Sequence, residues 1–214
     1  MLEYCANHAF VNQEEVKEAE TGLRISGITT LEFGYTLFRF VSRADFRPVS
    51  CASSPWWFQS NSVRNIMNDA RDSRRSIAME AKENAAVADA WLNSCQYLLI
   101  AKVYYPLKCF YGPPRVVGKT SKHVDLSGLP DKADISNNAY DDVGLQIPDY
   151  SVEQLYIPGL NINAYDNEDK ASAVRRVAKL VNTSLKIRPQ IKLGAIPGIA
   201  EGGVEGMIHQ LSNF

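Results

Sequence analysis

The sequence predicts a mixed α+β domain, and three features of its hydrophobic pattern predict it. Residues 35–42 are apolar on both faces, which is typical of a strand in the centre of a sheet, and residues 96–105 form a second apolar run. Between them, residues 62–93 contain neither proline nor glycine, and apolar side chains recur at helical spacing, which predicts one long helix or two consecutive ones. We therefore expect one α+β core with flanking helices.

The N-terminal part of the chain predicts a helix and a strand ahead of this core. Residues 13–20 are polar and helix-prone, and residues 23–33 form a β-like run that Gly27 interrupts. Gly34 then opens the first buried strand. We divide the chain into an N-terminal helix and strand, residues 1–34, which is a candidate linker to a longer protein, and a domain of residues 35–214.

The second half of the chain alternates between loops and short elements. Residues 120–150 are rich in Ser, Gly, Asn, Asp and Pro and predict a long loop, after which residues 151–157 form a short strand that ends at a Pro-Gly pair. Asp166 or Asn167 is the expected N-cap of the next helix, and a last strand is expected at 186–193. The apolar stripe of that helix comprises Val174, Val177, Ala178, Val181 and Leu185.

Composition excludes several classes of protein. The 214 residues are 45% hydrophobic and 22% charged, which excludes disorder, collagen and coiled coils. There is no apolar run of membrane-spanning length and no signal-peptide pattern, so we expect a soluble protein with no membrane partner. It would be either cytosolic, or secreted or delivered into a target cell by a route without a cleavable signal peptide. A net charge of -1 disfavours nucleic acid as a partner without excluding it. The scattered Cys5, Cys51, Cys95 and Cys109 and three isolated histidines predict neither a disulfide framework nor a metal site.

The charges are balanced in total but blocked in sequence. Residues 102–122 carry five cations and no acid, residues 125–153 carry seven acids and one lysine, and residues 170–192 carry seven cations and no acid. Such blocks are usually solvated faces. The alternative is that the last block docks an acidic partner or an RNA backbone.

Three segments carry residues that are unusual for their predicted elements. Arg39 lies in the middle of a buried strand, where its permanent charge requires either a structural carboxylate or a bound anion. The run Ser53-Ser54-Pro55-Trp56-Trp57-Phe58 places hydroxyls beside aromatic rings, which suits either core packing or the binding of a planar ring. Glu153 and Gln154 stand side by side before the Pro-Gly turn and, in a strand, point to opposite faces.

In this order, the three segments resemble those of the mono-ADP-ribosyltransferase toxin and effector family. Phe-Arg-Phe-Val-Ser-Arg at 38–43 is similar to that family's NAD-binding arginine strand, residues 53–58 to its serine and aromatic motif, and Ser-Val-Glu-Gln-Leu-Tyr-Ile-Pro-Gly at 151–159 to its glutamate strand. The resemblance implies a split, mostly antiparallel sheet with a cleft for NAD, which is the substrate. It implies transfer of ADP-ribose to a macromolecule, and a protein is the expected target.

The resemblance also implies roles for individual residues. Arg39 would bind the pyrophosphate or a ribose, Ser54 would hold the ribose or the amide, and Trp56 or Trp57 would stack on nicotinamide. The catalytic position would be either Glu153 or Gln154.

The chain departs from the family pattern at the catalytic position. The family commonly has glutamate directly before the apolar triplet that leads into proline, and this chain has Gln154 there, with Glu153 one residue earlier. A bulge could turn Glu153 into the site, catalysis could be altered or lost, or the sequence could carry an inactivating exchange. The alternatives to a transferase are therefore a catalytically reduced fold that binds a partner, an NAD glycohydrolase, and a binding module in which Arg39 is paired internally.

Overall fold

The fold is mixed α+β, with a mostly antiparallel sheet flanked by helices. The computed structural model describes residues 4–42, 52–84, 94–114, 117–118, 145–146, 152–161 and 168–193. The helical elements are a 3-10 turn (His8–Phe10), α1 (Gln13–Gly22), α2 (Ser60–Asp72), α3 (Ile77–Asn84) and α4 (Lys170–Ser184). The strands are β1 (Gly27–Leu31), β2 (Thr36–Val41), β3 (Trp56–Phe58), β4 (Tyr97–Val103), β5 (Leu107–Gly112), β6 (Val117–Gly118), β7 (Leu145–Gln146), β8 (Gln154–Tyr156), β9 (Leu185–Ile187) and β10 (Ile191–Lys192).

Eight of these strands form one sheet. Their order is β1-β5-β8-β3-β2-β4-β10, and β9 also pairs with β4. All the pairings are antiparallel, and β6 and β7 form a separate two-stranded pair. Among the described residues, none of the helices is long and apolar enough to cross a membrane.

The sheet is strongly curled, because consecutive strands lie far apart in its order. β1 and β2 are four places apart, which in a flat sheet would be about 19 Å, yet the five steps from Leu31 to Thr36 reach at most about 18 Å when fully extended. β4 and β5 are also four places apart and are joined by an even shorter connection. Leu31 opposes Leu107 and Thr36 opposes Lys102, so the two segments keep one register through the bend. We call the bent pair formed by β1 and β2 on one side and β4 and β5 on the other the β-ribbon.

The curl divides the hydrophobic core into an inside and an outside. Alternate residues of the β-ribbon share one inner cluster, which α4 also enters. The inner cluster includes Leu31, Leu37, Leu99, Ala101, Val103, Leu107, Cys109, Val177 and Val181. The remaining side chains pack outside, under α2 and α3 around Phe38 and Ile66 and under α1 around Phe110 and Tyr156.

The N-terminal segment packs into the same core. β1 is the edge strand of the sheet, and the Glu15 carboxylate of α1 is fully buried. That carboxylate accepts hydrogen bonds from the Tyr156 hydroxyl and, at 2.9 Å, from the Gly159 N–H. Asn7 bonds both the N–H and the carbonyl of Lys108, and its amide also donates to Pro158. Residues 4–31 are therefore tied to β5 and β8 by polar contacts as well as by pairing.

Several predicted elements are confirmed and others are corrected. β2 and β4 are central strands, as their apolar pattern predicts. The described part of the helical region at 62–93, up to Asn84, contains two helices, separated at Arg74, which takes a left-handed φ of 58° with no glycine or proline to signal it. Residues 85–93 lie outside the described residues. The predicted strand at 186–193 is two short strands with Pro189 between them. Residues 120–144 and 147–150 of the predicted loop lie outside the described residues.

The prediction for α4 was wrong at its start and in part of its stripe. Its N-cap is Asp169, whose carboxylate accepts from the N–H groups of Ala171 and Ser172, and neither Asp166 nor Asn167. Val174 is 43% exposed, because the buried face of the helix is centred one position away, on Ala173, Val177 and Leu180.

The buried Glu15 carboxylate gives a first stability prediction. Glu15→Ala leaves the Tyr156 hydroxyl and the Gly159 N–H buried without an acceptor, and we expect it to lower the free energy of unfolding by about 3 kcal/mol. Urea denaturation followed by circular dichroism measures this. The neighbouring Glu14 is exposed, so Glu14→Ala should change the free energy of unfolding by less than about 0.5 kcal/mol. Equal effects of the two variants would contradict the proposed anchoring by Glu15.

Two buried thiols predict a loss of stability at alkaline pH. Burial raises the pKa of Cys95 and of Cys109 to about 12, whereas an unfolded thiol has a pKa near 9.0. The stabilisation is complete below pH 9.0 and is lost as the pH rises towards 12, since the unfolded chain then ionises first. At about pH 10 each thiol should account for a loss of stability on the order of 1 kcal/mol. Urea denaturation at about pH 7.5 and about pH 10 measures how far the free energy of unfolding falls between the two pH values, and this fall should be smaller by that amount in Cys109→Ala than in the unaltered protein. An identical fall in the two proteins would refute the raised pKa of Cys109.

Candidate functional site

The three unusual segments of the sequence lie on three neighbouring strands, β2, β3 and β8. Phe38 of β2 pairs with Phe58 of β3, and Phe58 pairs in turn with Gln154 of β8, so these residues form one row across the strands. β2 and β8 run in the same direction because each is antiparallel to β3. Arg39 therefore lies one residue to one side of the row, and Glu153 lies one residue to the other.

Arg39 is positioned by the alternation of β2. Leu37 and Val41 belong to the inner side of the sheet, whereas Phe38 and Phe40 pack outside under the helices. Arg39 therefore points to the inner side, and it is half-buried. Its positive charge acts on the Cys95 thiol, where it partly opposes the rise in pKa that burial causes.

Glu153 is held at the start of β8 by residues from two other elements. Its carboxylate Oε2 accepts a hydrogen bond of 2.7 Å from Nε2 of Gln59, the residue after β3. The hydroxyl of Ser62, in the first turn of α2, donates to the Glu153 carbonyl at 2.7 Å and accepts from its N–H at 3.0 Å. Both the side chain and the backbone of this half-buried residue are thus fixed.

A tyrosine extends the contact of Gln59 and Glu153. The Tyr35 hydroxyl donates to Oε1 of Gln59 at 3.3 Å, so Gln59 bridges a phenol and a carboxylate. The pKa of Tyr35 is raised, first by burial and then by the neighbouring Cys109 and Glu153. The phenol is therefore protonated near neutral pH and serves as a donor. We call Tyr35, Gln59 and Glu153 the polar triad.

Gln154 lies on the other face of β8 from Glu153. It is 5% exposed and shares its face with Tyr156, whereas Leu155 belongs to the inner cluster. Gln154 pairs in regular register with Phe58 and with Gly112. Of the two adjacent residues, Glu153 shares the inner side of the sheet with Arg39.

The serine and aromatic segment has a largely structural environment. Ser54 is half-buried, its carbonyl accepts from the Trp57 indole at 3.0 Å, and its hydroxyl accepts from the Trp56 N–H at 3.4 Å. Trp57 is fully buried in the inner cluster. Trp56 is half-buried and packs edge-on against Tyr156, with ring centroids 4.8 Å apart. Stacking of a ligand on Trp57 would require its ring to leave the core.

Sequence reasoning missed three residues of the site: Tyr35, Gln59 and Ser62. Gln59 had a weak signal, since it is a polar residue that directly follows the apolar run of β3. Tyr35 and Ser62 had none, because a tyrosine at the start of a strand and a serine at the start of a helix are ordinary. Their proximity to Glu153 depends on strand pairing between residues that are distant in sequence.

The arrangement offers a cation and a carboxylate on one side of the sheet. From strand spacing and rise, the Cα atoms of Arg39 and Glu153 are about 12 Å apart. Such a pair suits an extended ligand with an anionic part near Arg39 and a centre of developing positive charge near Glu153. Within the described parts of the chain, no group of three His, Cys, Asp or Glu side chains could hold a metal ion.

Comparison with known proteins identifies no relative of this chain. Searches of protein-family models, of curated proteins and of solved structures find no match for the chain. The chemistry of the site therefore has to be inferred from the polar triad and Arg39 themselves.

Proposed function

We propose that this chain is a mono-ADP-ribosyltransferase-like enzyme that uses NAD as its substrate and modifies a macromolecule, in the first instance a protein. One observation carries the proposal. The arginine, serine-aromatic and glutamate segments, whose motifs resemble those of that family, lie on adjacent strands, and Arg39 and Glu153 share one side of the sheet.

The reaction requires a carboxylate beside the nicotinamide ribose. The bond between the ribose C1′ and the nicotinamide nitrogen breaks, its electron pair leaves with nicotinamide, and C1′ acquires oxocarbenium character. A nucleophile of the acceptor then bonds to C1′ and loses its proton. Glu153 stabilises the developing positive charge, which a neutral amide such as Gln154 would do poorly.

The other residues bind and orient. The Arg39 guanidinium matches the geometry of the diphosphate and neutralises its charge. Gln59 holds the Glu153 carboxylate in one orientation through its 2.7 Å hydrogen bond, and Tyr35 fixes Gln59 in turn. Because both Gln59 and Tyr35 act as neutral donors, they leave the charge of the carboxylate in place.

One observation favours a second candidate function. Gln154 occupies the sequence position where mono-ADP-ribosyltransferases commonly have their glutamate, and its side chain is buried on the outer face of the sheet. A fold of this kind with reduced catalysis would bind NAD or a partner without transfer. A glycohydrolase, in which water is the acceptor, needs no change in the site.

The role of Glu153 gives a kinetic prediction. Glu153→Gln should lower the rate of nicotinamide release from NAD on the order of 100-fold, because the variant keeps the shape of the side chain and removes its charge. Gln154→Ala is the matched neighbour and should mainly cost stability, without a comparable loss of rate in the folded fraction. NAD labelled on the adenylate, incubated with the protein in a cell extract, reports nicotinamide release and labelling of macromolecules together.

The outcomes separate the candidates. Release with labelling of macromolecules supports a transferase, and release without labelling supports a glycohydrolase. If Gln154→Ala abolishes release and Glu153→Gln does not, the assignment of Glu153 is wrong. The absence of both release and NAD binding would support the partner-binding alternative.

Arg39 gives a prediction for affinity. Arg39→Ala should weaken NAD binding by roughly 2 kcal/mol, which is about 30-fold, since a charge-assisted bidentate contact is lost. Isothermal titration calorimetry measures the affinity, and thermal unfolding shows whether the variant is folded. Arg71 is exposed on α2 and bonded to Asp72, so Arg71→Ala removes the same charge away from the site and should leave NAD affinity unchanged. A folded Arg39→Ala variant with unaltered NAD affinity would refute the NAD site.

A further inference from the structure

Three exposed aromatic side chains lie together at the bend of the β-ribbon. Phe33 of the β1–β2 connection is 69% exposed, and Tyr104 and Tyr105 of the β4–β5 connection are 56% and 49% exposed. Phe33 and Tyr104 are edge to face with ring centroids 5.5 Å apart, and Tyr104 and Tyr105 are tilted with centroids 6.4 Å apart. No two of these rings stack face to face, and each ring keeps about half or more of its surface exposed. These residues contribute little to the core, since they are outside the buried clusters.

Two lysines lie beside these rings. Lys102 of β4 is directly opposite Lys186 of β9, and Tyr104 follows Lys102 by two residues, so all three side chains project from the same face. The Tyr104 N–H bonds Ser184, which continues the pairing of β4 and β9 up to the aromatic rings. Side chains in such opposed positions have Cβ atoms about 5 Å apart, and like charges there are destabilising.

The lysine pair joins the two acid-free basic blocks of the sequence. Lys102 begins the block at 102–122, and Lys186 belongs to the block at 170–192. Neither lysine forms an ion pair with a carboxylate in the described part of the chain. Glu32, next to Phe33, is an exposed acid at the bend. Among the described residues, the lysine pair thus has no carboxylate within ion-pair distance.

We propose that this surface, defined by Phe33, Tyr104, Tyr105, Lys102 and Lys186 and here called the ribbon patch, binds a single-stranded polynucleotide. Exposed aromatic rings stack on unpaired bases, and neighbouring lysines contact the phosphates between them. An acidic protein segment would use the lysines but would gain nothing specific from three open rings. The ribbon patch therefore favours a ligand that combines regularly spaced negative charges with planar rings. This inference goes beyond the proposed function and does not depend on it.

Binding of a fluorescein-labelled oligouridylate of about twelve nucleotides, followed by fluorescence anisotropy, tests the proposal. The double variant Phe33→Ala and Tyr104→Ala should weaken binding by about tenfold or more, because base stacking is lost. Lys102→Ala with Lys186→Ala should weaken binding and reduce the slope of log affinity against log salt concentration by about 1.4, which corresponds to two lost phosphate contacts. Glu32→Gln should tighten binding, because it removes a negative charge beside the rings.

Matched controls keep the test specific. Lys17 and Lys179 are exposed on α1 and α4, so Lys17→Ala with Lys179→Ala removes the same charge elsewhere and should change affinity less than twofold. Thermal unfolding and circular dichroism check that every variant is folded, which the exposure of the replaced rings favours. No binding by the unaltered protein at about 50 mM salt would overturn the proposal. So would binding that depends on the lysines but not on the rings, since that result fits an acidic ligand.

Discussion

The turn at Pro158 and Gly159, directly after β8, is the constraint on which the arrangement of the other elements depends. Glu15 of α1 accepts from the Gly159 N–H, Asn7 donates to the Pro158 carbonyl, and Arg176 of α4 donates to the Gly159 carbonyl. Arg176 also pairs with Glu168, its guanidinium lies over the Phe10 ring, and it donates to the Asn161 carbonyl. Gly159 has a φ of +87°, and a Cβ there would lie 2.7 Å from Phe10. The N-terminal segment, β8 and α4 therefore meet at one backbone turn that accepts only glycine without strain.

The curled β-ribbon turns this anchoring into a site. Because the sheet bends on itself, β8 and β3 are placed between the two halves of the ribbon and bring Glu153 beside Gln59. The contact of β2 with β3 rests on a single residue pair, Phe38 and Phe58. The candidate site thus lies where the sheet is least continuous. A ligand that contacts both Arg39 and Glu153 would bridge this junction. The energy of its contact with Glu153 would depend on how rigidly the turn at Pro158 and Gly159 anchors β8.

The success of the sequence-based predictions varied with the range of the forces involved. The central strands β2 and β4 were identifiable because apolar residues on both faces require cover on both faces. The end of α2 was not identifiable, since Arg74 takes a left-handed conformation at a position without glycine. Ion pairs of Arg75 with Glu80 and Glu83 hold this turn. Asp169 could not be distinguished from Asp166 as a cap, because both are acceptors ahead of the same apolar stripe. The sequence also put Glu153 and Gln154 on opposite faces but could not tell which face met Arg39.

By itself, the sequence determined the class of fold and the two central strands, and it indicated Arg39 and Glu153 as candidate site residues, since local hydrophobic period and charge burial act within a few residues. Only the tertiary structure decided that Arg39 and Glu153 lie on the same side of the sheet and that Gln59 and Tyr35 complete the polar triad. It also decided that Lys102 and Lys186, from two separate basic blocks, stand opposite each other. These relations depend on strand order and register, which are set by which apolar faces can be buried together. That is a property of the whole core, and no single segment encodes it.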